Sequence, residues 1–436
     1  MQVDNDGNEC LRSLRENPQT VPGEGAISYL LAPTHVLLTI MPPLTTELDP
    51  VLPSAAVEAA LGQTVRDALN LEDWGTGPGL ADLLTRVQTA VTRSVQEEAS
   101  LRDAIRSHVL SELHHFPDAP SSAGVYLITD HQLRAARRNL LLPGHVTACD
   151  GVCAGHDGLT ATVVSVGVCL VKYDGSVNSW RSTFLRHDYD AHAVDPVGQL
   201  RAVLDRRGQR EADDGTAPDP IHTLLRRGFM AAAERTALLE RADSRWKIGH
   251  GVPAPLELLT GSGNMDLIDL TLPTLEQLLL NETRWVFLPA TLSNRALLTV
   301  ANALGPGELA IFQTGKPMVE AIIESATYSA GYRKKVEAFA AKLGANTVVG
   351  GYRATRYAPP QLFVAHADRA IEAGIVAMAD GGMNPHRGFP LMLDLAAMGA
   401  RTGLGLDAFQ GVVEAAYAKA RANHLFTDGR VVTEEK

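Results

Sequence analysis

The chain has 436 residues, 45% of them hydrophobic and 20% charged, which excludes a disordered protein and allows one large core with an accessory domain. Its formal net charge of −11 excludes a surface that attracts nucleic acid or anionic membrane as a whole, so any such contact has to be local. Four cysteines without paired CxxC motifs, no signal peptide and no apolar run of membrane length favour a protein of the reducing cytoplasm with no membrane contact.

The N-terminal third carries no recognisable chemistry. Residues 1–25 are polar and are predicted to form a flexible arm. The apolar run at 32–41 predicts a strand, whereas residues 55–69 and 80–113 have helical periodicity. We therefore expect residues 26–139 to form a mostly helical accessory region, followed by a functional domain over the rest of the chain.

The chain is organised around an Asp-Gly pair. A short apolar run at 146–149 leads to Asp150 and Gly151, and a β-branched run at 161–173 predicts a buried strand beyond a hairpin. An Asp at the end of a central strand, next to a Gly, is suited to holding a divalent cation beside a phosphodiester. Asp-Gly is also the commonest hairpin turn, and the residues alone leave both interpretations of Asp150 open.

A second acid lies in a predicted helix over residues 221–241. The apolar positions of this helix leave Glu234 beside the apolar stripe, where it either pairs with an arginine such as Arg227 or is directed into a site. The following stretch, 247–263, is rich in Gly and Pro and is typical of a shaped loop at a sheet edge; it contains His250 and Glu257. It has no P-loop, dinucleotide fingerprint or serine-hydrolase motif.

Further strands are predicted at 285–289 and 309–313, with a helix at 294–304 between them. Such a series predicts an α/β fold with helices packed on a sheet. Lys316 follows the second strand, where it either neutralises phosphate or caps the sheet edge. Residues 321–343 are predicted to be helical.

A third stretch rich in polar residues begins after a short apolar run at 375–378. We interpret this run as a strand that ends at Asp380, as the earlier one ends at Asp150, and His386 and Arg387 follow in one loop. An acid, a His and an Arg beside glycines suggest a site, although an ordinary loop with a capping Asp has the same composition. A final helix is predicted at about 406–422.

The order of these features resembles the NurA family of DNA-end-processing nucleases over about residues 140–400. The resemblance rests on Asp150-Gly151, the helix with Glu234, the glycines at 249–251, and Gly388-Phe389-Pro390 before a helix. It implies an RNase H-like mixed sheet in a nuclease domain at 140–436. It also implies metal ligation by Asp150 and Glu234, and work with a HerA-type hexameric ATPase.

The sequence also departs from the family pattern. His250 stands where the family has the Asp of a second Asp-Gly, and Phe389 replaces the Tyr of Gly-Tyr-Pro. The family's following His is not found at its expected place, although His386 lies just before the motif. Either the site is rebuilt by nearby polar residues, namely His250, Glu257, Asp380 and His386, or it is catalytically degraded.

The resemblance thus implies hydrolysis of DNA with Mn²⁺ or Mg²⁺ by a homodimer. Asp150 and Glu234 would hold the metal, with Glu257 and Asp380 as further candidate ligands. His250 or His386 would ligate Mn²⁺ or transfer a proton, and Lys316 or Arg387 would neutralise phosphate. The alternative is an RNase H-like scaffold subunit that binds DNA or an ATPase without catalysis.

Overall fold

A computed structural model describes residues 53–421 except 73, 75–79, 159, 188, 191, 213–223, 290–294, 327 and 329. The predicted arm at 1–25 and the predicted strand at 32–41 lie outside the described residues. No helix in the described part combines the length and the apolar character needed to cross a membrane.

The described residues from 53 to 115 are mostly helical, as predicted. Helices α1 (Ser54–Leu61), α2 (Val65–Ala68) and α3 (Leu80–His108) precede a 3₁₀ turn, Leu110–His115. From residue 84 to residue 101, α3 is exposed on all sides. Its last turns join the core, where Ile105 is buried and Arg106 donates two hydrogen bonds to Glu308.

Nine strands of the described chain form one sheet in the order β1-β7-β8-β9-β6-β5-β2-β3-β4. In chain order they are β1 Gly124–Leu127, β2 Val146–Asp157, β3 Ala161–Val171, β4 Val177–His187, β5 Trp246–His250, β6 Trp285–Leu288, β7 Glu308–Thr314, β8 Thr347–Tyr352 and β9 Gln361–His366. Strands β2, β3 and β4 form an antiparallel meander, β5 runs parallel to β2, and β6 runs parallel to β5. The order β4-β3-β2-β5-β6 is that of an RNase H-like core, so the predicted fold class is confirmed.

Eleven further α-helices follow in the described part of the chain, and several of them cover the two faces of the sheet. They are α4 Asp130–Ala136, α5 Pro196–Ala212, α6 Met230–Glu240, α7 Leu256–Leu259, α8 Met265–Glu276, α9 Arg295–Ala301, α10 Lys316–Ser325, α11 Ala330–Asn346, α12 Ala370–Gly381, α13 Leu391–Leu404 and α14 Leu406–Lys419. Helices α6, α8 and α11 build one core with Trp285 and Phe287. Helices α4 and α12 build a second core on the other face with Trp246 and Tyr352.

The prediction of a strand at 375–378 is wrong. These residues lie in α12, whose residues are buried almost throughout. A helix that is apolar on all sides has no polar stripe, so its pattern cannot be told from that of a buried strand. Asp380 therefore lies in the last turn of a helix and does not repeat the position of Asp150.

Several element boundaries also differ from prediction. Asp150 lies inside β2 rather than at its end, because β3 pairs with β2 as far as Asp157. Helix α4 begins with a capping box that Thr129 forms with Gln132. The predicted helix at 321–343 is two helices, which are separated at Ala326.

Candidate active site

The candidate site lies where a parallel strand stops beside a longer one. The last parallel pair between β2 and β5 is Cys149 with Gly249, so Asp150 and His250 are the next residue on each strand. These residues lie at the carboxyl end of the parallel strand pair, and the carboxyl ends of parallel strands form the ligand-binding crevices of α/β sheets. Here the Nδ1 atom of His250 lies 3.0 Å from Oδ1 of Asp150, which also accepts a 2.8 Å hydrogen bond from the Gly151 amide.

Glu234 reaches this point from α6. A Cβ atom at Gly151 would lie 2.6 Å from Oε1 of Glu234 and 2.8 Å from Cγ of Met230, closer than real side chains pack. The missing side chain of Gly151 therefore lets a helix carboxylate approach β2 directly beside Asp150. Both acids are buried, with 7% of Asp150 and 6% of Glu234 exposed.

Arg235 fixes the loop that follows His250. Its side chain is buried and donates hydrogen bonds to the carbonyl oxygens of His250, Val252 and Pro253, and to the carboxylate of Glu234. Its guanidinium also lies over the ring of Phe287, 4.9 Å from the centroid. One arginine thus holds α6, the end of β5 and the predicted shaped loop in a single arrangement.

Burial and mutual repulsion control the protonation of this cluster. Burial raises the pKa of Glu234 to about 7, the charge of Arg235 opposes this, and the charge of Asp150 adds to it. Burial would lower the pKa of His250, but the hydrogen bond and charge of Asp150, with the charge of Glu234, outweigh it and raise that pKa. An added positive charge would stabilise the ionised form of these two buried acids, one of which has a raised pKa.

The donor chemistry of this cluster fits a divalent cation. Asp150 and Glu234 offer carboxylate oxygens, which Mg²⁺ and Mn²⁺ prefer, and His250 offers an imidazole nitrogen that suits Mn²⁺ better. In the part of the chain that the structure describes, no three His, Cys, Asp or Glu side chains are already gathered as a metal site. The acids are instead compensated by Arg235 and His250.

The other predicted ligands have different contacts. Glu257 lies in α7 with Oε1 3.8 Å from Nη1 of Arg227. Asp380 is fully buried and accepts hydrogen bonds from the Tyr173 hydroxyl and from the Met392 amide. Burial raises the pKa of Asp380 to about 6.

Of the predicted proton carrier His386 and the predicted phosphate contacts Lys316 and Arg387, only Arg387 borders the site. His386 is exposed, with its ring centroid 5.7 Å from that of Tyr357. Lys316 is exposed, 3.7 Å from Asp118. Arg387 lies over the ring of Phe389, and that ring makes an edge contact of 6.1 Å with His250, so the Gly-Phe-Pro motif borders the site.

The structure therefore brings together Asp150, Glu234 and His250. It places Glu257, Asp380, His386 and Lys316 in other contacts, and Arg387 at the border. Two weak signals in the sequence point to further residues of the site. Arg235 is adjacent to Glu234 and replaces Arg227 as its partner, and the aromatic residue of the Gly-Phe-Pro motif, Phe389, packs against His250.

The strand order and the paired acids define an RNase H-like α/β protein. No family model and no curated protein matches the chain. Among solved structures it is similar to the NurA nuclease from Sulfolobus solfataricus, with 11% identity and a TM-score of 0.37, over 79% of this chain and 98% of that one. It is also similar to NurA bound to dAMP and manganese, with 8% identity and a TM-score of 0.42, over 79% and 97%.

A further similarity is to endonuclease V from Ciona intestinalis in complex with DNA that contains an inosine. Its identity is 9% and its TM-score 0.24, over 73% of this chain and 98% of that one. These matches include the family that the sequence resembles. Their TM-scores are all below 0.5, and function is defined by the residues of a site rather than by such a likeness.

Proposed function

We propose that this protein is a nuclease that hydrolyses phosphodiester bonds of DNA with Mn²⁺ or Mg²⁺ held by Asp150 and Glu234. The observation that carries the proposal is the approach of two buried carboxylates around Gly151, with the pKa of Glu234 raised to about 7. A buried acid pair is costly unless a proton or a cation compensates it. A bound divalent cation would activate water and offset the charge that develops on phosphate.

The chain's own residues have distinct tasks in this proposal. The hydrogen bonds from Gly151 and His250 fix the carboxylate of Asp150. Asp150 raises the pKa of His250, which favours the protonated imidazole and suits this side chain to donate a proton to the leaving oxygen. Arg235 holds Glu234 in place, and Arg387 at the border is the proposed phosphate contact.

The partners belong to the same proposal: DNA as substrate, a HerA-type ATPase as partner, and a second copy of the chain. The exposed side chains Leu84, Val87, Val91 and Val95 form an apolar stripe along α3, which supports association through this helix. We also propose a cytoplasmic location and the domain division at residue 140. The sheet nevertheless takes its edge strand β1 from residues before that boundary.

A second candidate is a scaffold subunit that has lost catalysis. It is favoured by the ion pairs of Glu234 with Arg235 and of Asp150 with His250, which already compensate both acids. Such a protein would bind DNA or an ATPase without cleavage.

A nuclease assay on end-labelled linear DNA in Mn²⁺, Mg²⁺ or EDTA separates the two. The test variant is Asp150→Asn, which keeps the shape of the side chain but removes its charge. The matched control is Asp174→Asn, an exposed Asp-Gly in the β3–β4 turn that caps its own turn through the Ser176 amide. We expect metal-dependent cleavage by the parent chain and the control, and a loss of at least about 100-fold in Asp150→Asn.

Each reaction is repeated with an added HerA-type ATPase. Full activity of Asp150→Asn would disprove the site. No cleavage by the folded parent chain under any of these conditions would favour the scaffold.

A further inference from the structure

The edge strand β4 is unusual for an acidic protein. Its sequence, VNSWRSTFLRH, contains two arginines, a histidine and two aromatic residues but no acid, whereas the whole chain has a net charge of −11. Most of its residues are exposed, including Trp180 and Arg181. An exposed strand with basic and aromatic residues is typical of surfaces that bind nucleic acid.

The strand register connects this edge to the candidate active site. Gly151 on β2 is paired with Val168 on β3, and Val168 is paired with Trp180 on β4. Directly opposite residues share one face of a sheet, so Trp180 lies on the face from which Glu234 approaches Gly151. With strands spaced about 4.8 Å apart, Trp180 is about 10 Å from Gly151 across the sheet.

A groove lies along this row. It has a volume of about 530 Å³ and lies between the β3–β4 ribbon and helices α6 and α8. Its floor includes Val168, and its helix wall is built from small residues such as Ala233 and Ala237, in the turns next to Glu234. The small side chains leave room for a flat group beside the site.

Aromatic and charged side chains line the open end of this groove. Trp180 is 42% exposed, and Phe184 makes an edge contact of 5.6 Å with Phe229. Arg241 lines the same groove and is exposed, as is Glu240, which precedes it in the chain. Arg181 alternates with Trp180 along β4 and lies on the other face of the strand, with Leu185. The groove thus offers a ring for stacking and a cation, Arg241, for a phosphate backbone.

We propose that this groove binds an unpaired nucleobase of the strand presented to the active site, with the base stacked on Trp180 and the neighbouring phosphate beside Arg241. The inference rests on the proposed nuclease function and specifies its substrate as DNA that is single-stranded next to the cleaved bond. Every base has a stacking face, so such a groove accepts any sequence, whereas bases inside a duplex are not available to it.

The test is binding without cleavage. The full chain is titrated in EDTA with a fluorescein-labelled oligothymidine and with a duplex of the same length. Trp180→Ala should weaken single-strand binding about 5- to 100-fold, since stacking on an aromatic ring is worth that much per base. Trp180→Phe keeps a ring and should stay within about threefold. Leu185→Ala is the matched control, because Leu185 is exposed on β4 but alternates to the other face.

Tryptophan fluorescence gives a second readout. Trp246 and Trp285 are fully buried, and Trp74, although 54% exposed, does not line the groove, so stacking of a base should quench mainly Trp180. The quenching on titration should disappear in Trp180→Phe although binding persists. If Trp180→Ala does not fold, its melting curve would show this. The loss of quenching with retained binding in Trp180→Phe would then decide whether the base stacks on Trp180.

The outcomes separate this inference from the proposed function. Single-strand binding that depends on Trp180 supports the groove even if the protein cleaves nothing. Equal binding by Trp180→Ala and the parent chain would overturn the inference and assign the groove to another occupant, such as an apolar helix of a partner. An equal loss in Leu185→Ala, or unchanged quenching in Trp180→Phe, would also overturn it, while metal-dependent cleavage would still stand.

Discussion

Nδ1 of His250 lies 3.0 Å from Oδ1 of Asp150, although the two residues are 100 positions apart in the chain. The contact arises because β5 stops at His250 just where its parallel partner β2 presents Asp150. An imidazole held in this way has one ring nitrogen committed to the carboxylate. Its other nitrogen is the one that remains for substrate or for a metal.

The first prediction separates the two candidate histidines. His250→Ala should lower kcat on linear DNA by about 100-fold or more, because it removes a proton donor and leaves Asp150 without its side-chain partner. His386→Ala should leave kcat and KM near the parent values, since His386 is exposed and contacts Tyr357. Steady-state kinetics checks both. The reverse pattern would show that the proton carrier belongs to the Gly-Phe-Pro loop.

The second prediction concerns Gly151. Gly151→Ala should displace Glu234, because the new methyl group would lie 2.6 Å from its Oε1 atom. We expect loss of activity and a decrease in the free energy of unfolding of about 1–3 kcal/mol. Gly411→Ala in α14 has open space around the new methyl group and should be neutral or stabilising by about 0.5–1 kcal/mol. Urea unfolding and the nuclease assay measure both effects; an active, stable Gly151→Ala would contradict the packing described above.

The third prediction compares two arginines near Glu234. Arg235→Ala should lower the free energy of unfolding by about 3–5 kcal/mol, since it removes the partner of a buried carboxylate and leaves three carbonyl oxygens without their donor. Arg227→Ala should change it by less than about 0.5 kcal/mol, because Arg227 is largely exposed and 3.8 Å from Glu257. Chemical denaturation decides between them. If both substitutions lowered the free energy of unfolding by similar amounts, Arg235 would not be the specific partner of Glu234.

The fourth prediction is a pH dependence that arises away from the active site. Burial raises the pKa of Asp380 from 3.8 to about 6, so the folded state binds this proton more tightly than the unfolded state. The contribution of Asp380 to stability is therefore complete at low pH and is lost as pH rises from about 4 to about 6. It amounts to about 3 kcal/mol, because one pKa unit corresponds to about 1.4 kcal/mol.

Asp380→Asn should remove this part of the pH dependence. Its amide oxygen can accept the hydrogen bond from the Met392 amide, and its amide nitrogen can donate to the Tyr173 hydroxyl, which rotates to accept it. Melting temperatures between pH 4 and pH 7.5 would show the parent chain losing stability relative to the variant. Asp174→Asn serves as the control, because hydrogen bonds from Ser176 lower the pKa of Asp174 and its effect has the opposite sign. Parallel curves for the parent chain and Asp380→Asn would mean that Asp380 does not titrate in this range.

Much of the fold could be predicted from local patterns. Strands β3, β6 and β7 are continuous apolar runs, and α3 has a clear helical period, so each was located. Strand β4 was missed because its residues are polar and exposed on both faces, which removes the alternation that marks a half-buried strand. Strands β8 and β9 are short and wholly or largely buried, and such runs carry no period.

The candidate site could be predicted only in part. Asp150 and Glu234 are unusual for their local pattern, one next to a Gly in an apolar run and the other beside an apolar stripe. The meeting of Asp150, Glu234 and His250 depends on which strands are neighbours, and no local pattern contains that information. The resemblance to NurA supplied the link between Asp150 and Glu234. The buried role of Arg235 needed the structure, because an arginine in a helix is usually solvated.

Among the residues that the structure describes, strand β4 leaves eleven residues of backbone at a free edge of the sheet. An unprotected edge of this length is a template for pairing with other chains, and proteins commonly block such edges with charged side chains. Arg181 and Arg186 therefore have a second consequence for the cell. The positive charges of the two arginines make two copies of this edge repel each other. The charges that would attract a polyanion to β4 therefore also oppose its aggregation with another copy of the chain.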